Sequence, residues 1–256
     1  MVIGVIPARF ASTRLMGKPL ADIGGKPMIQ HTFESASKSK LISKIVIAVD
    51  DKKVSKAAEG FGAEVIMTPK SIATGSDRIA YVAKFYKDAE IIVNIQGDEP
   101  FINGTMIDQA IEPLVFDPKV NVATLAKRIE DLKELKSPSV TKVVFDYNNF
   151  ALYFSRSPIP YVRDAKTNTE RITKGEIYKH IGLYVYRKES LERFTKLAPT
   201  DLENTEKLEQ LRMLENGFKI KIVVTEFESI AVDTQEDLER ARKYYNKYVK
   251  KDEKTG

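Results

Sequence analysis

Cysteine is absent from this chain of 256 residues, and histidine occurs only at His31 and His180. These absences exclude disulfides, thiol nucleophiles, cysteine-ligated zinc and a histidine-rich metal centre. A metal site would have to hold a hard cation through oxygen ligands. No apolar run approaches the roughly 18 residues of a transmembrane helix, and the first residues enter an apolar strand without signal-peptide features. We therefore expect a cytoplasmic protein with no membrane insertion.

The excess of positive over negative charge is small. Lys and Arg number 41 against 36 Asp and Glu, which gives a net charge of +5. No basic stripe is interleaved with aromatic residues, as a nucleic-acid surface would require. Basic residues do gather in the tail 243–256, "KYYNKYVKKDEKTG", where a solvated helix end is favoured over a nucleic-acid contact. We expect no nucleic-acid partner.

Apolar β-branched runs alternate with helical patterns along most of the chain. Residues 28–36 place Met28, Ile29, Thr32, Phe33 and Ala36 on one helical face, and residues 50–62 predict a helix closed by glycine. Strands separated by helices form right-handed crossovers. The sequence therefore predicts an α/β fold whose mostly parallel sheet carries helices on both faces. The predicted strands are residues 2–7, 44–49, 63–67, 91–96, 122–126 and 220–224.

The region of about 139–190 breaks this alternation. Three strand-like runs, "VTKVVFD", "FALYFS" and "IGLYVYR", follow one another with a turn at "YNN", which is typical of antiparallel hairpins. No linker divides the chain. We predict a single domain over 1–256 with 139–190 as an embedded β subdomain or dimerisation region, and a symmetric homodimer.

The loop after the first strand, "IPARFASTRLMGKPL", is rich in positive charge. Arg9, Arg14 and Lys18 lie among small residues that let backbone N–H groups approach an anion. Because Pro19 follows Gly17-Lys18, the loop is no Walker A motif, and it lacks the GxGxxG of a dinucleotide fold. The pattern favours a polyphosphate site, with a solvated basic loop as the alternative.

Two aspartates follow strands whose carboxyl ends should meet at one edge of the sheet. Asp98 lies in "NIQGDEP" after a very apolar strand, and Asp233 lies in "IAVDTQED" just outside a capping box of Thr234 and Asp237. Such carboxylates can hold Mg²⁺ against the phosphates of a nucleotide. A helix N-cap or a plain turn acid at Asp98 and a purely structural Asp233 remain the alternatives.

The stretch "TGSDR", residues 74–78, precedes a helical pattern. It could contact a nucleotide at a helix N-terminus, but the residues favour a cap, with Ser76 or Asp77 at the N-cap position. Together, the basic loop and the separated aspartates suit phosphoryl or nucleotidyl transfer.

The chain resembles a known family from residue 2 to about 244. The motifs are "IPARFASTRLMGKPLADIGGKPMIQH", "NIQGDEP", "FALYFSRSPIPY", "YKHIGLYVYR", "TEKLEQLR" and "VDTQEDLE", and they are similar to those of the 3-deoxy-manno-octulosonate cytidylyltransferases, or CMP-Kdo synthetases. The resemblance implies a Rossmann-like nucleotidyltransferase sheet. It also implies Mg²⁺-dependent transfer of CMP from CTP to Kdo for lipopolysaccharide assembly in Gram-negative bacteria, with pyrophosphate as the second product.

The resemblance also implies a role for individual residues of this sequence. Catalytic positions would be Arg9, Arg14, Lys18 and Asp98, and the metal would be held by Asp98 and Asp233. The nucleotide would contact Pro7, Ala8, Arg9, Lys18, Thr74, Gly75, Arg78 and Gln96. The sugar acid would contact Arg156, His180, Glu209 and Gln210, with Arg156 as the fork for its carboxylate.

The predicted sugar-acid residues also have purely structural interpretations. The residues alone favour a packed or capping role for His180, and a solvated helix face for Glu209 and Gln210. Three other functions also stay open: the same reaction on 8-amino-Kdo, a sialate or sugar-phosphate nucleotidyltransferase, and a CTP-binding protein without catalysis.

Overall fold

A computed structural model describes residues 1–11 and 15–250. Arg14, a predicted catalytic residue, lies outside the described residues. The chain divides into two compact units, the first comprising Met1–Asp108 with Glu228–Gly256 and the second Gln109–Phe227. The prediction of a single domain with a subdomain at 139–190 is not tested by this division and stays a prediction.

The strands and helices follow the predicted alternation. Within 1–11 and 15–250 the strands are β1 (Val2–Ala8), β2 (Asp22–Ile23), β3 (Lys26–Pro27), β4 (Lys44–Val49), β5 (Glu64–Met67), β6 (Ile91–Asn94), β7 (Val122–Arg128), β8 (Lys142–Phe145), β9 (Ala151–Ser155), β10 (Tyr178–Arg187) and β11 (Ile220–Val224). The α-helices are α1 (Met28–Ala36), α2 (Lys52–Gly60), α3 (Gly75–Ala83), α4 (Gly104–Phe116), α5 (Leu132–Lys136), α6 (Asn168–Lys174), α7 (Lys188–Phe194), α8 (Asp201–Glu206), α9 (Gln210–Glu215) and α10 (Gln235–Tyr244). A short 3-10 helix spans Lys18–Leu20, and a π-helical turn spans Tyr245–Val249.

The first unit contains a parallel sheet in the order β6-β1-β4-β5. Its central strands are Val- and Ile-rich and almost fully buried, as parallel strands covered by helices require. Helices α1, α2 and α3 connect successive strands of this sheet. The parallel α/β arrangement predicted from the alternation is confirmed.

Local sequence explains where two of these helices lie. In α1, the predicted apolar face is buried at Met28, Ile29 and Ala36. Helix α2 begins after Asp51, whose side chain accepts a hydrogen bond from the Lys53 N–H, and it ends at Gly60 as predicted.

The second unit carries the antiparallel strands. Strand β7 pairs parallel with β11 and antiparallel with β10, while β8 pairs antiparallel with both β9 and β10. The β8–β9 turn is closed by Asp146, which accepts hydrogen bonds from the N–H groups of Asn148 and Phe150. The predicted switch to antiparallel pairing within 139–190 is confirmed.

The predicted strand 91–96 is two residues too long, because β6 ends at Asn94. The chain turns after this point, and Gln96 reaches the wall of a cavity instead of continuing the sheet. No described helix has both the length and the apolar content to cross a membrane.

Candidate active site

A cavity of about 410 Å³ opens beyond the carboxyl end of β1 in the first unit, a size typical of small-molecule sites. Its position agrees with the rule that parallel α/β sheets bind ligands at this edge. The predicted residues that line it are Pro7, Ala8, Arg9, Lys18, Gly75, Gln96, Asp98 and Asp233. Ala11, Pro19, Met28 and Gly97 complete the described wall.

Lys18 joins the two predicted metal ligands. Its Nζ donates to Asp98 Oδ2 at 2.7 Å and to Asp233 Oδ1 at 2.8 Å. Burial alone would lower the pKa of the Lys18 ammonium, but the two carboxylates outweigh burial and raise that pKa. Lys18 is therefore a cation at neutral pH, and it bridges two segments that are far apart in the sequence.

The loop geometry places Lys18 at this point. Gly17 adopts a positive φ of 68°, which glycine allows at little cost, and the 3-10 helix Lys18–Leu20 begins immediately after it. The loop also joins an apolar cluster in which Ile23 and Met28 pack with Leu238 and Tyr245 of the C-terminal helical segment. This packing fixes the Lys18 loop beside the segment that carries Asp233.

The cap of α10 orients Asp233. The Asp237 carboxylate accepts hydrogen bonds from the N–H groups of Asp233 and Thr234 and from the Thr234 hydroxyl. These hydrogen bonds outweigh burial and lower the pKa of Asp237. The predicted capping box of Thr234 and Asp237 is confirmed.

Gly97 allows the Asp98 loop to approach β1 closely. A Cβ on Gly97 would lie 2.6 Å from the Pro7 carbonyl oxygen, so Gly97→Ala must shift backbone at the cavity wall. We expect this variant to lose about 1–3 kcal/mol of unfolding free energy and to bind CTP more weakly. Thermal unfolding and CTP titration measure both effects. Gly60→Ala is the control, since a Cβ there meets nothing within 4 Å; equal behaviour of the two variants would contradict this role for Gly97.

Asp50 is a residue that the sequence analysis missed. It follows β4 and is buried, with Oδ1 accepting from the Phe10 N–H at 3.0 Å and Oδ2 lying 3.9 Å from Arg9 Nε. Arg9 also donates to the Ala73 carbonyl at 3.0 Å. The position of Asp50 directly after β4 could have identified it, because the same strand-end position identified Asp98.

The interpretation of "TGSDR" is correct in type and wrong in residue. Thr74, and neither Ser76 nor Asp77, is the N-cap of α3, and its Oγ1 accepts from the Asp77 N–H at 3.0 Å. Ser76 and Asp77 lie inside the first turn of α3, and Ser76 is buried there. Several consecutive residues here are good caps, and only tertiary packing selects among them.

Arg78 is placed by the structure away from the described cavity wall. Its guanidinium is fully buried and donates to Thr68 Oγ1, with Asp50 Oδ2 at 3.4 Å. A contact between Arg78 and cytosine therefore stays a prediction. In this structure Arg78 and Arg9 both pair with the Asp50 carboxylate, so Asp50 connects Arg78 to the cavity wall.

The described residues offer a divalent metal two carboxylate ligands. Within 1–11 and 15–250 no cluster of three or more acidic or histidine side chains could hold a metal. Asp98 and Asp233 supply two carboxylates, and Mg²⁺ commonly takes one or two carboxylates and completes its shell with substrate phosphates and water. The residues present therefore fit Mg²⁺ bound together with a nucleotide.

The predicted sugar-acid residues lie in the second unit. His180 is partly buried, with Nε2 at 2.9 Å from Thr124 Oγ1 and its ring against Phe154 and Tyr184. Burial raises the pKa of Tyr184, and the nearby charge of Glu209 contributes to this rise. Tyr184 is therefore a buried tyrosine in ring contact with His180, and the charge of Glu209 acts on it. The sequence analysis missed Tyr184, although strand alternation from His180 was an available signal.

The structure buries Gln210 and bonds the Arg156 side chain to main-chain carbonyl groups. Gln210 begins α9 and is buried, so a solvated face is wrong for this residue. The Arg156 guanidinium donates to the carbonyl oxygens of Glu206, Pro138 and Lys207. Its role as a fork for a substrate carboxylate stays a prediction.

Lowering the pH should reduce the unfolding free energy of the wild type more steeply than that of the His180→Gln variant. Burial lowers the pKa of His180 to about 3, against about 6.5 in an unfolded chain. The unfolded state therefore binds more protons below about pH 6.5, and the unfolding free energy falls by at most about 1.4 kcal/mol per pH unit. Urea unfolding at pH 7 and at pH 5 measures the two slopes. Parallel slopes would contradict the lowered pKa.

Sequence comparisons agree with the site. Residues 3–222 match the sequence family described as Cytidylyltransferase. The chain is 52% identical over 243 residues to the 3-deoxy-manno-octulosonate cytidylyltransferase of Geobacter sulfurreducens, covering 93% of this chain and 97% of that protein. It is 48% identical to the protein of the same name from Chloroherpeton thalassium, covering 96% and 98%.

Two solved structures are also similar to this chain. CMP:2-keto-3-deoxy-manno-octonic acid synthetase complexed with CTP is 39% identical with a TM-score of 0.89, covering 96% of this chain and 98% of that chain. A cytidylyltransferase from Leptospira borgpetersenii, 17% identical with a TM-score of 0.64, covers 96% and 87% and shares the fold. This chain is a cytidylyltransferase and belongs to the family of the 3-deoxy-manno-octulosonate cytidylyltransferases.

Proposed function

We propose that this enzyme transfers CMP from CTP to 3-deoxy-D-manno-octulosonate (Kdo) with Mg²⁺. The observation that carries the proposal is the convergence of Lys18, Asp98 and Asp233 at one cavity. The relatives named for this reaction support the choice of nucleotide and acceptor.

The reaction is an in-line displacement at phosphorus. The anomeric hydroxyl oxygen of Kdo forms a bond to the α-phosphorus of CTP. The bond from that phosphorus to the oxygen bridging to the β-phosphate breaks, pyrophosphate leaves, and the hydroxyl proton is released. Negative charge grows on the leaving group, so catalysis depends on positioning and charge neutralisation.

Residues of the cavity would supply that neutralisation. Asp98 and Asp233 would hold Mg²⁺, which when bound neutralises phosphate oxygens. Arg9 and Lys18 would contact the triphosphate, with Arg14 of the same loop as a further cation. Arg9 is suited to this because Asp50 and the Ala73 carbonyl hold it at the cavity wall.

The nucleoside would be held by small residues and polar groups. Pro7, Ala8 and Gly75 give a close backbone approach, and Gln96 offers an amide to the substrates. The N-terminus of α3, capped by Thr74, adds oriented N–H groups beside them.

The sugar acid would use the polar groups of the second unit. His180 is neutral at physiological pH because burial lowers its pKa to about 3, so its ring can both donate and accept a hydrogen bond. Glu209 and Gln210 would accept and donate to sugar hydroxyls. Arg156 would bind the carboxylate through the guanidinium donors beyond the three that meet carbonyl oxygens.

Three further proposals concern the setting of the enzyme: a cytoplasmic location, a role in lipopolysaccharide biosynthesis, and a symmetric homodimer formed through 139–190. Among the described strands β9 pairs only with β8, and its Leu152 is 62% exposed. Light scattering at micromolar concentration should show a dimer, and a monomer would remove that proposal.

Phosphorus NMR of a mixture of CTP, Kdo and Mg²⁺ tests the reaction. The enzyme should replace the three triphosphate signals by one phosphodiester signal and one pyrophosphate signal, and EDTA should prevent the change. Unaltered CTP would contradict the proposed reaction, and phosphate or CMP without a sugar adduct would indicate hydrolysis.

A further inference from the structure

Glu99 is a buried acid that follows Asp98 directly and is not among the described residues lining the cavity. Only 6% of its surface is exposed. Its Oε2 accepts a hydrogen bond from Ser229 Oγ at 2.7 Å. Buried carboxyl groups are rare, and a hydrogen-bonded one fixes the segments that it joins.

The partner segment is the one that carries Asp233. Ser229 and Val232 lie in the irregular chain before α10. The Val232 N–H donates to the Asp98 carbonyl at 2.9 Å, which adds a main-chain bond beside the Glu99–Ser229 bond. Two hydrogen bonds therefore tie residues 98–99 to residues 229–232.

The loop of Asp98 has a separate anchor on its other side. The Thr32 hydroxyl donates to the Gly97 carbonyl, and the Ser35 hydroxyl donates to the Pro100 carbonyl at 3.0 Å. Helix α1 therefore holds this loop, while the cap at Asp237 holds Asp233 from its C-terminal side. The bond from Ser229 to Glu99 holds the Asp233 segment from its N-terminal side.

We propose that Glu99 is a positioning residue that, through Ser229, sets the separation of the Asp98 and Asp233 carboxylates. The inference rests on the proposed function, in which these carboxylates bind Mg²⁺. Two ligands from distant segments can share one ion only if their backbones are held at a fixed distance. Groups that orient metal ligands commonly change metal affinity by about 10- to 100-fold when removed.

Three variants separate the hydrogen bond from the carboxyl group. Ser229→Ala removes the hydrogen bond and keeps the Glu99 carboxyl group, Glu99→Ala removes both, and Glu99→Gln replaces the carboxyl group by an amide that keeps an oxygen able to accept from Ser229. Ser35→Ala is the matched control, because it removes a hydrogen bond to the same loop without involving the Asp233 segment.

Titration with Mn²⁺, followed by the EPR signal of free Mn²⁺, gives the metal affinity of each protein. We expect about tenfold weaker binding in Ser229→Ala and Glu99→Ala, and values within about twofold of wild type in Glu99→Gln and Ser35→Ala. Pyrophosphate release should show a matching rise in the Mg²⁺ concentration for half-maximal rate, with kcat at saturating Mg²⁺ within about threefold of wild type.

The other outcomes overturn the proposal in distinguishable ways. Weak binding by Glu99→Gln with normal binding by Ser229→Ala would assign the effect to the carboxyl group itself and not to its bond with Ser229. Wild-type affinity in all variants would remove any role for Glu99. If Asp98→Asn also bound Mn²⁺ like wild type, the metal site itself would be misplaced, and that part of the proposed function would fail as well.

Discussion

Replacing Asp98 by asparagine should lower the rate of pyrophosphate release by at least about 10²- to 10³-fold. The amide keeps the size of the side chain and removes the negative charge that would hold Mg²⁺. It also removes one of the two carboxylates that bind the Lys18 ammonium. In the proposed reaction this charge would act where the triphosphate reacts, so the loss should appear in kcat at saturating CTP and Kdo. Initial rates of pyrophosphate release measure it.

Asp88→Asn provides the control for Asp98→Asn. Asp88 is an exposed aspartate of the same unit and is not among the described residues of the cavity wall. The Asp88→Asn substitution makes the same chemical change away from the cavity, so the kcat of this variant should equal that of wild type. An Asp98→Asn rate within about threefold of the control would remove Asp98 from the catalytic machinery.

Replacing Lys18 by methionine should have two effects of opposite sign. The rate of pyrophosphate release should fall by about 10²- to 10³-fold, since a cation at the triphosphate is lost. In the absence of nucleotide, however, Mn²⁺ should bind about tenfold more tightly, because the ammonium now occupies the carboxylate oxygens that a metal would need. Methionine matches the length of the lysine stem, so packing changes little.

Lys26→Met is the control for Lys18→Met. Lys26 is also paired with a carboxylate, that of Glu34 at 2.9 Å, but it is not part of the described cavity wall. Its loss should leave both the rate and the Mn²⁺ affinity unchanged. If Lys18→Met bound Mn²⁺ more weakly than wild type, lysine and metal would not share the two carboxylates.

Much of the fold was predictable because strand and helix periods are local. Strands of Val and Ile separated by helices specified the parallel sheet of the first unit, and three successive strand-like runs specified the antiparallel region of the second. The strand-end rule predicted that Arg9, Asp98 and Asp233 would lie at one edge of the sheet, and they line one cavity. The family resemblance is confirmed by relatives that share about half of the residues of this chain.

The details of the site depended on contacts between distant segments. No local pattern shows that Lys18 meets both Asp98 and Asp233, because that contact requires the C-terminal segment to pack on the first loop. The sequence did not show that Arg78 is buried beside Asp50, and its predicted contact with cytosine stays a prediction. Asp50 was missed because its neighbour Asp51 is the N-cap of α2 and already accounts for an aspartate at this position. Nothing local shows that Asp50 accepts a hydrogen bond from the Phe10 N–H.

Acceptor specificity shows whether Kdo is the molecule that receives the CMP group. The purified protein with CTP and Mg²⁺ is given Kdo, 8-amino-Kdo and N-acetylneuraminate in parallel, and pyrophosphate release is followed for each. We expect release with Kdo, abolished by EDTA and by Asp98→Ala. Preference for the amino sugar or for N-acetylneuraminate would contradict Kdo as the acceptor, and a protein that binds CTP but releases no pyrophosphate with any acceptor would contradict the proposed reaction altogether.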